Sequence, residues 1–281
     1  HKAAYGDNPI YYRDGVTTTV TVEQWNMGNG HVHFALKNNG KVDASNGDDM
    51  PTQVLVAGYP LLLHPRGTSP EGVDVAIVGF GSGVTVGTAL QFPVRRVDDI
   101  ELERWIPDAS RYFANINHLH YTDSQVFPFV SMPRLNLINN DGRNYLASTD
   151  RRYDVVISEP SNPWITGVSN LFTADHFRAA TQSLAPGGIF VQWVQLYEMS
   201  PENIKTIFRT FSEVYQNVVV FAADDPGLPL LAHELGSMRE RLQRRPQWHC
   251  TVLPTGDHVF TRWSDRRALL DTLLATQPIQ G

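Results

Sequence analysis

From Val73 onward, short apolar runs alternate along the chain with longer segments whose apolar positions suit helices. The predicted strands are Val73–Val78, Val94–Leu102, Arg134–Ile138, Asp154–Ser158, Gly188–Trp193 and Asn217–Phe221. The predicted helices are Val84–Gln91, Trp105–Asn115, Arg143–Thr149, Thr173–Leu184 and Pro201–Phe211. Strands that alternate with helices form parallel sheets, so this pattern predicts a doubly wound α/β domain. In such a domain, ligands bind in the crevice at the carboxyl ends of the strands.

The residues before this region follow a different pattern. Thr alternates with Val over Val16–Val22, His31–Leu36 has strand character, and Asn38–Gly40 is a hairpin turn signal. Period-two alternation joined by a hairpin turn predicts a small antiparallel sheet. Thr52–Leu63 is apolar enough to form a helix packed into the core.

Three units follow from these patterns. The segment Arg66–Gly72, rich in Gly, Pro and Ser, is the expected boundary after the first helix, whose N-cap candidates are Asp48 and Asp49. Beyond Asp225 the pattern weakens, and the predicted elements are helices at Leu228–Arg244 and Ser264–Thr276 around a strand-like piece at His258–Trp263. The predicted units are a small N-terminal β-domain with its linking helix (1–66), a Rossmann-like domain (67–225) and a C-terminal helical extension packed on it (226–281).

Composition narrows the classes of function. The 281 residues carry a formal net charge of −6 and no long basic stripe, which argues against nucleic acid as a main partner. Cys250 is the single cysteine, so we expect no internal disulfide and no bound metal, and a reducing compartment such as the cytoplasm fits. No apolar run approaches the roughly 20 residues of a membrane span. The chain begins at His1 rather than at Met, and one interpretation is a piece of a longer protein.

The first strand of the α/β region leads directly into three glycines at alternate positions: Gly79, Gly81 and Gly83. Glu101 follows about 20 residues later at the end of the second strand, where a carboxylate can accept hydrogen bonds from a ribose. The nicotinamide fingerprint requires a further glycine where this chain has Val84. The spacing instead suits an adenosyl-sulfonium ligand of the S-adenosylmethionine type, and the alternative is a glycine turn without a ligand.

Polar groups also follow the third and fourth strands. Asp141 and Gly142 come after the third, where Asp141 is suited to the exocyclic amine of an adenine; the alternative is a helix cap with a turn. Glu159 comes after the fourth and is the candidate acid or base; the alternative is an exposed loop carboxylate. Because the carboxyl ends of parallel strands share one edge of the sheet, we expect these groups to converge on one crevice.

The run Ser158–Trp164, continued by Gly167–Thr173, is the most specific motif of the chain. At these residues the chain resembles the spermidine synthase (polyamine aminopropyltransferase) family, and in particular bacterial spermidine-synthase-like domains fused to a transporter-like membrane segment. The other motifs that carry the resemblance are Gly47–Gln53, Pro60–Pro65, Gly79–Gly83, Ile100–Glu103, Asn140–Arg143, Tyr153–Ile157, Gln192–Trp193 and Leu196–Tyr197. The resemblance implies a Rossmann-like class I S-adenosylmethionine-dependent transferase fold behind a small N-terminal antiparallel β-domain.

The chain departs from the family pattern mainly where the family binds amines. The family's aspartates correspond to Ser82 in the glycine turn, to Glu159 as the catalytic residue, and to Asn162 as the diamine-binding residue. A tyrosine, a histidine and a glutamate of the preceding helix correspond to Thr52, Gln53 and Val54. A desolvated ammonium without carboxylate partners is costly, so the resemblance implies a retained adenosine half and a rewritten amine half.

The expected site therefore has three parts. The donor-binding residues are Gly79, Gly81, Ser82, Gly83, Glu101, Asp141, Gly142 and Gln53. Glu159 is the catalytic residue, and Asn162 and Trp164 are the substrate-binding residues, with packing in the core or a lid as the alternative for Trp164.

Three functional hypotheses remain open. The first is transfer of an aminopropyl-type group from decarboxylated S-adenosylmethionine to a small-molecule amine. The second keeps S-adenosylmethionine itself as the donor of a methyl or aminocarboxypropyl group, because neutral Ser82 would not repel its carboxylate. The third is a nucleoside-binding module without turnover. A cytoplasmic location, a homodimer and membership of a longer membrane-anchored protein are further expectations.

Overall fold

The computed structural model describes residues 9–28, 30–165, 167–195, 198–215, 217–222 and 248–253. The N-terminal sheet consists of β1 (Tyr11–Asp14), β2 (Thr19–Asn26), β3 (Val32–Asn38) and β4 (Lys41–Ser45). The main sheet consists of β5 (Asp74–Val78), β6 (Arg96–Glu101), β7 (Leu135–Asn139), β8 (Tyr153–Ser158), β9 (Leu184–Trp193), β10 (Val218–Ala222) and β11 (Trp248–Leu253). The helices are α1 (Met50–Leu63), α2 (Val84–Leu90), α3 (Ile106–Ala109), α4 (Ala114–Asn117), α5 (Gly142–Ser148), α6 (Ala174–Ser183) and α7 (Pro201–Val214).

The main sheet reverses its strand order beside β5. Its order is β10-β11-β9-β8-β5-β6-β7, and every neighbouring pair is parallel. The chain therefore builds β6 and β7 on one side of β5 and then β8 and β9 on the other. Connections leave β5 and β8 toward opposite sides, which opens a crevice at the carboxyl ends of these two strands.

Helices cover both faces of the main sheet, which explains why residues 75–78 of β5 and 155–157 of β8 are apolar. All six residues of β8 are buried. On one face, Val75 and Ile77 pack in a core that includes Val56 of α1 and Val86 of α2. On the other face, an aromatic cluster holds α6 and α7 against the sheet. Its members are Tyr153, Phe177, Phe190, Phe211 and Tyr215.

The N-terminal sheet is antiparallel, and buried or partly buried hydrogen bonds join it and its β1–β2 loop to the main domain. The Tyr11 hydroxyl donates to Asp108 Oδ2 at 2.9 Å. The amide and hydroxyl of Thr17 donate to Glu103 Oε2 at 3.1 and 2.9 Å. Glu103 follows β6, so these bonds fix the N-terminal sheet beside the carboxyl end of the main sheet.

The fold class predicted from the sequence is confirmed. One predicted helix differs: Trp105–Asn115 is broken into α3, a 3-10 turn at Ser110–Phe113, and α4. At the break, the Ser110 hydroxyl donates to Pro107 O at 2.8 Å, and the Ser110 carbonyl accepts from the Asn117 side chain at 3.1 Å. These side-chain bonds compete with a regular helix.

The C-terminal region contains a strand that the sequence pattern did not indicate. Within the range expected to be a helical extension, β11 inserts into the main sheet between β9 and β10. The predicted elements Leu228–Arg244, His258–Trp263 and Ser264–Thr276 lie outside the described residues, and the domain boundaries stay predictions. In the described part of the chain, no helix combines the length and the apolar character that a membrane span needs.

Candidate functional site

The glycine turn after β5 has a backbone that only glycine adopts easily. Gly79, Gly81 and Gly83 have φ values of 100°, 53° and 80°. A Cβ added at Gly79 would lie 2.7 Å from the backbone oxygen of Glu159, whereas one added at Gly81 would meet no atom within 4 Å. The turn therefore packs tightly against the end of β8 and leaves backbone at Gly81 that a ligand can approach.

Glu101 ends β6 and supports this turn. Its Oε2 accepts from Phe80 N at 2.9 Å and its Oε1 accepts from Glu103 N at 2.7 Å. Burial raises the pKa of Glu101 to about 7, against the two backbone hydrogen bonds that lower it; the charges of Glu103 and Asp43 add to the rise. Because an ionised carboxylate has about four acceptor positions, Glu101 retains acceptor capacity for ribose hydroxyls.

Asp141 caps α5, as the alternative interpretation expected. Its side chain accepts from Asn144 N at 2.8 Å. A Cβ added at Gly142 would collide with the Val78 side chain, so this turn packs directly against the end of β5. Asn140 N donates to Glu101 O at 3.1 Å, which brings the end of β7 beside the end of β6. The adenine role of Asp141 and Gly142 stays a prediction.

Gln53 and Ser82 lie together, both buried, and bond to each other. The Ser82 hydroxyl donates to Gln53 Oε1. The Gln53 amide nitrogen donates to Ser45 O and to Asp49 Oδ2, each at 2.8 Å. Where the resemblance expects an aspartate and a histidine, the chain has a neutral hydrogen-bonded pair, which ties α1 to the glycine turn.

Glu159 directly follows β8, on the opposite side of β5 from Glu101. Its amide donates to Val78 O at 2.9 Å, which fixes the end of β8 against β5. Its side chain is partly buried, not an exposed loop carboxylate. Burial raises the pKa of Glu159 to about 8, a hydrogen bond with Thr85 opposes the rise, and the negative charge of Asp49 adds to it. A carboxyl with this pKa can exchange a proton near neutral pH.

The two substrate-binding candidates differ in exposure. Asn162 is 2% exposed and its side-chain oxygen accepts from Gln195 Nε2, whereas Trp164 is 44% exposed. Between β8 and these residues, the Ser161 hydroxyl donates to Asp43 Oδ2 at 2.6 Å. This bond joins the loop after β8 to β4, so the N-terminal sheet contributes to one wall of the crevice.

The sequence analysis missed three carboxyl groups near the site. Asp49 was interpreted only as a helix cap, yet its side chain makes no capping hydrogen bond to α1. Asp43 lies close enough to Glu101 to raise its pKa. Asp99 is fully buried, and within the described residues neither of its carboxyl oxygens has a hydrogen-bond partner. Two adjacent aspartates inside a predicted strand were the available signal for Asp99; no local signal distinguished Asp43.

Among the described residues, no group of three or more His, Cys, Asp or Glu side chains is arranged to hold a metal ion. Two pairs of histidines lie two residues apart in the sequence, His31 with His33 and His118 with His120. Within the described part of the chain, neither pair has a third metal ligand beside it.

Relatives of known function are similar to this chain over part of their length. Putrescine N-methyltransferase 2 of Nicotiana tabacum is 28% identical over 171 residues, which cover 59% of this chain and 46% of the relative. Polyamine aminopropyltransferase 1 of Bacillus cereus is 25% identical over 191 residues, which cover 68% of this chain and 64% of the relative. The chain thus spans about half the length of the first of these relatives.

Solved structures share the fold. A spermidine synthase in complex with the transition-state analogue AdoDATO has a TM-score of 0.57 at 21% identity, covering 74% of this chain and 64% of that one. Spermidine synthase from Thermotoga maritima has a TM-score of 0.57 at 20% identity, with the same coverage. The spermine/spermidine synthase domain matches residues 51–237, which include α1 except its first residue, the glycine turn and the loop after β8. This chain belongs to the spermine/spermidine synthase domain family.

Proposed function

We propose that this protein transfers an aminopropyl-type group from decarboxylated S-adenosylmethionine to a small-molecule amine. The observation that carries the proposal is the convergence of Glu101, the glycine turn and Glu159 at the crevice where the main sheet reverses its strand order. Family membership and the relatives that transfer groups to or from polyamines support it.

The donor half of the site is built from strand ends. Glu101 is proposed to accept hydrogen bonds from the ribose hydroxyls, and Asp141 and Gly142 to contact the adenine. The open backbone at Gly81 suits a ligand that lies against the glycine turn. In this arrangement, positioning of the donor contributes much of the rate, because the reacting carbon is held in line with the attacking nitrogen.

The proposed reaction is a direct substitution. The lone pair of the acceptor nitrogen attacks the carbon next to the sulfonium sulfur, and a C–N bond forms as the C–S bond breaks. The electron pair of the broken bond stays on sulfur, so methylthioadenosine leaves. The proton lost by the nitrogen passes to ionised Glu159, whose pKa of about 8 suits proton exchange with an amine.

A second candidate is transfer of a methyl or aminocarboxypropyl group from S-adenosylmethionine. The observation that favours it is the neutral Ser82–Gln53 pair, which places no carboxylate against the carboxylate of that donor. The similarity to putrescine N-methyltransferases is compatible with it. A nucleoside-binding module without turnover is the third candidate.

Calorimetry and product analysis distinguish the three candidate functions. Methylthioadenosine, S-adenosylmethionine and its decarboxylated form are titrated into the protein, and mass spectrometry then identifies the product formed with putrescine. Aminopropyl transfer predicts tighter binding of the decarboxylated donor and a product heavier by an aminopropyl group. A methylated or aminocarboxypropylated product establishes the second candidate, and binding without any product establishes the third.

The location and the assembly of the protein are further proposals. We propose that the domain lies in the cytoplasm, which the single Cys250 supports, and that it forms a homodimer. We also propose that in the natural protein it is attached to a transporter-like membrane segment, which the resemblance of its motifs supports. Sedimentation of the purified chain tests the dimer. Fractionation of the source cells with an antibody against this chain tests the location, and recovery at the size of an isolated domain would contradict the attachment.

A further inference from the structure

The loop after β8 has few backbone donors around the two residues that carry the proposed chemistry. Pro160 directly follows Glu159, and Pro163 directly follows Asn162. A proline has no N–H group, so neither position can donate a backbone hydrogen bond. Glu159 N donates to Val78 O at 2.9 Å, which fixes the start of the loop. The position of the following residues therefore depends more strongly on side-chain hydrogen bonds.

Ser161 lies between these two prolines and supplies such a bond. Its hydroxyl donates to Asp43 Oδ2 at 2.6 Å. This length is typical of a hydroxyl that donates to a carboxylate, and such charge-assisted bonds are about twice as strong as bonds between neutral groups. The two residues are 118 positions apart in the sequence, so the bond joins the loop of the main sheet to β4 of the N-terminal sheet.

The hairpin formed by β3 and β4 holds the Asp43 carboxylate in place. Its Oδ2 also accepts from the Asn38 side chain, and Lys41 Nζ lies 3.6 Å from its Oδ1. Asn38 and Lys41 pair with each other beside the hairpin turn, which keeps both of them near Asp43. The Asp43 side chain is 11% exposed. Because the acceptor is fixed by its own hairpin, little further conformational entropy is lost when Ser161 binds to it.

A second side-chain bond holds the same loop from the main sheet. Asn162 Oδ1 accepts from Gln195 Nε2, and both side chains are buried. Gln195 comes two residues after the end of β9, so this bond fixes Asn162 to the main domain. The loop is therefore held between the two sheets, and Ser161 is a point at which the N-terminal sheet acts on it.

We propose that Asp43 is a positioning residue, which acts through Ser161 to hold Glu159 and Asn162 in the arrangement that the reaction requires. In this role Asp43 does not touch the substrate, and its acceptor oxygen matters more than its charge. Misplacement of a reacting group by about 1 Å can cost roughly 100-fold in rate, so a single bond to the loop is enough to affect turnover. The inference rests on the proposed function, because Glu159 and Asn162 carry the chemistry of that proposal.

The kinetic test removes the two ends of the bond separately and together. Turnover is measured in Asp43→Ala, in Ser161→Ala and in the double variant, with the donor and acceptor that the product analysis identifies. Each single variant should lose about 10- to 100-fold in kcat. The double variant should lose no more than a single one, because the same contact is absent in all three. Methylthioadenosine should bind to Ser161→Ala as it does to the wild type.

Conservative variants and a control show whether the bond itself is responsible. Asp43→Asn keeps an acceptor oxygen and Ser161→Thr keeps the hydroxyl, so both should retain most of the turnover that the alanine variants lose. The matched control is Asp48→Ala, which removes an exposed carboxylate from the same side of the molecule and should match the wild type. Hydrogen exchange adds a measurement that needs no turnover. The amides of residues 161–165 should exchange faster in Asp43→Ala and in Ser161→Ala, but not in Asp48→Ala.

Three results would overturn the inference. They are losses that multiply in the double variant, normal turnover in Ser161→Ala beside impaired turnover in Asp43→Ala, and unchanged hydrogen exchange of the loop in both single variants. If Asp43→Ala does not fold, Ser161→Ala and Ser161→Thr decide, because they alter the same bond from the loop. A wild-type protein that forms no product refutes the proposed function instead, and hydrogen exchange then decides by itself whether Asp43 holds the loop.

Discussion

At the residue scale, the protonation state of Glu159 decides whether the site can act. With a pKa of about 8, most of its carboxyl is protonated at pH 7, and a general base must be ionised. Below pH 8, the ionised fraction rises about tenfold for each pH unit. Because the acceptor amine must also be neutral, we expect kcat/KM to rise steeply with pH up to about 8 and less steeply above it, where only the deprotonation of the amine still adds to the rate, measured from pH 6 to 9 with a confirmed acceptor.

Substitution of Glu159 separates its chemical role from its packing. Glu159→Gln keeps the shape but cannot accept a proton, so turnover should fall by about 10²- to 10⁴-fold while methylthioadenosine binding is retained. Glu159→Asp is the control, since it keeps a carboxylate and restores the residue of the family pattern. Wild-type turnover in Glu159→Gln would remove Glu159 from the reaction.

Glu101 belongs to the donor half. Glu101→Ala removes the proposed ribose acceptor and the support of Phe80 N and Glu103 N. The affinity for methylthioadenosine should fall by about 1.5–3 kcal/mol, the range for hydrogen bonds to a charged group. Circular dichroism checks that the variant is folded, and calorimetry measures the affinity. An unchanged dissociation constant would show that the ribose lies elsewhere.

At the element scale, helix α6 carries a buried histidine whose ring nitrogens have no hydrogen-bond partner among the described residues. His176 is fully buried beside Phe177 and Phe190, and neither ring nitrogen has a hydrogen-bond partner within the described residues. Burial lowers the pKa of His176 to about 4, the charge of Arg143 lowers it further, and Asp141 opposes both. The unfolded chain therefore binds this proton near pH 6.5 and the folded chain near pH 4, so stability falls as pH decreases through that window.

His176→Phe should remove this penalty. The ring fits an aromatic cluster, and no nitrogen is left without a partner. We expect the free energy of unfolding to rise, by about 2 kcal/mol more at pH 5 than at pH 7.5. Urea denaturation at both pH values measures it. His118→Phe serves as a control for the substitution itself, and an equal gain at both pH values would contradict the titration of His176.

Some of the helices and strands could be predicted from the sequence, and others could not. Strands β5 and β8 and helix α2 were predictable, because buried parallel strands leave continuous apolar runs and the glycine turn marks where α2 begins. The break in Trp105–Asn115 was not, since it depends on side-chain bonds of Ser110 and Asn117. Asp49 has the local sequence of a helix cap, and its carboxylate turns toward Ser45 and Gln53 only through tertiary contacts. Local patterns therefore predicted which strand ends carry the candidate site residues, whereas the orientation of the Asp49 carboxylate follows from tertiary contacts.

At the scale of the whole molecule, the candidate site depends on how the N-terminal sheet is fixed to the main domain. Asp43 and Asp49 come from the N-terminal side, whereas Glu101 and Glu159 come from the main sheet. The position of one pair relative to the other therefore depends on the bonds from Thr17 to Glu103 and from Tyr11 to Asp108.

Glu103 is the acceptor on which this contact depends most. It is 3% exposed and accepts from the amide and hydroxyl of Thr17. Glu103→Ala leaves both donors without their acceptor, so the free energy of unfolding should fall by about 1–3 kcal/mol. Urea denaturation measures the loss, and faster hydrogen exchange at β2 would place it at the sheet contact. The control is Glu71→Ala at an exposed position, where the change should stay within about 0.5 kcal/mol. Equal stability of the two variants would show that the Thr17–Glu103 hydrogen bonds do not stabilise the sheet contact.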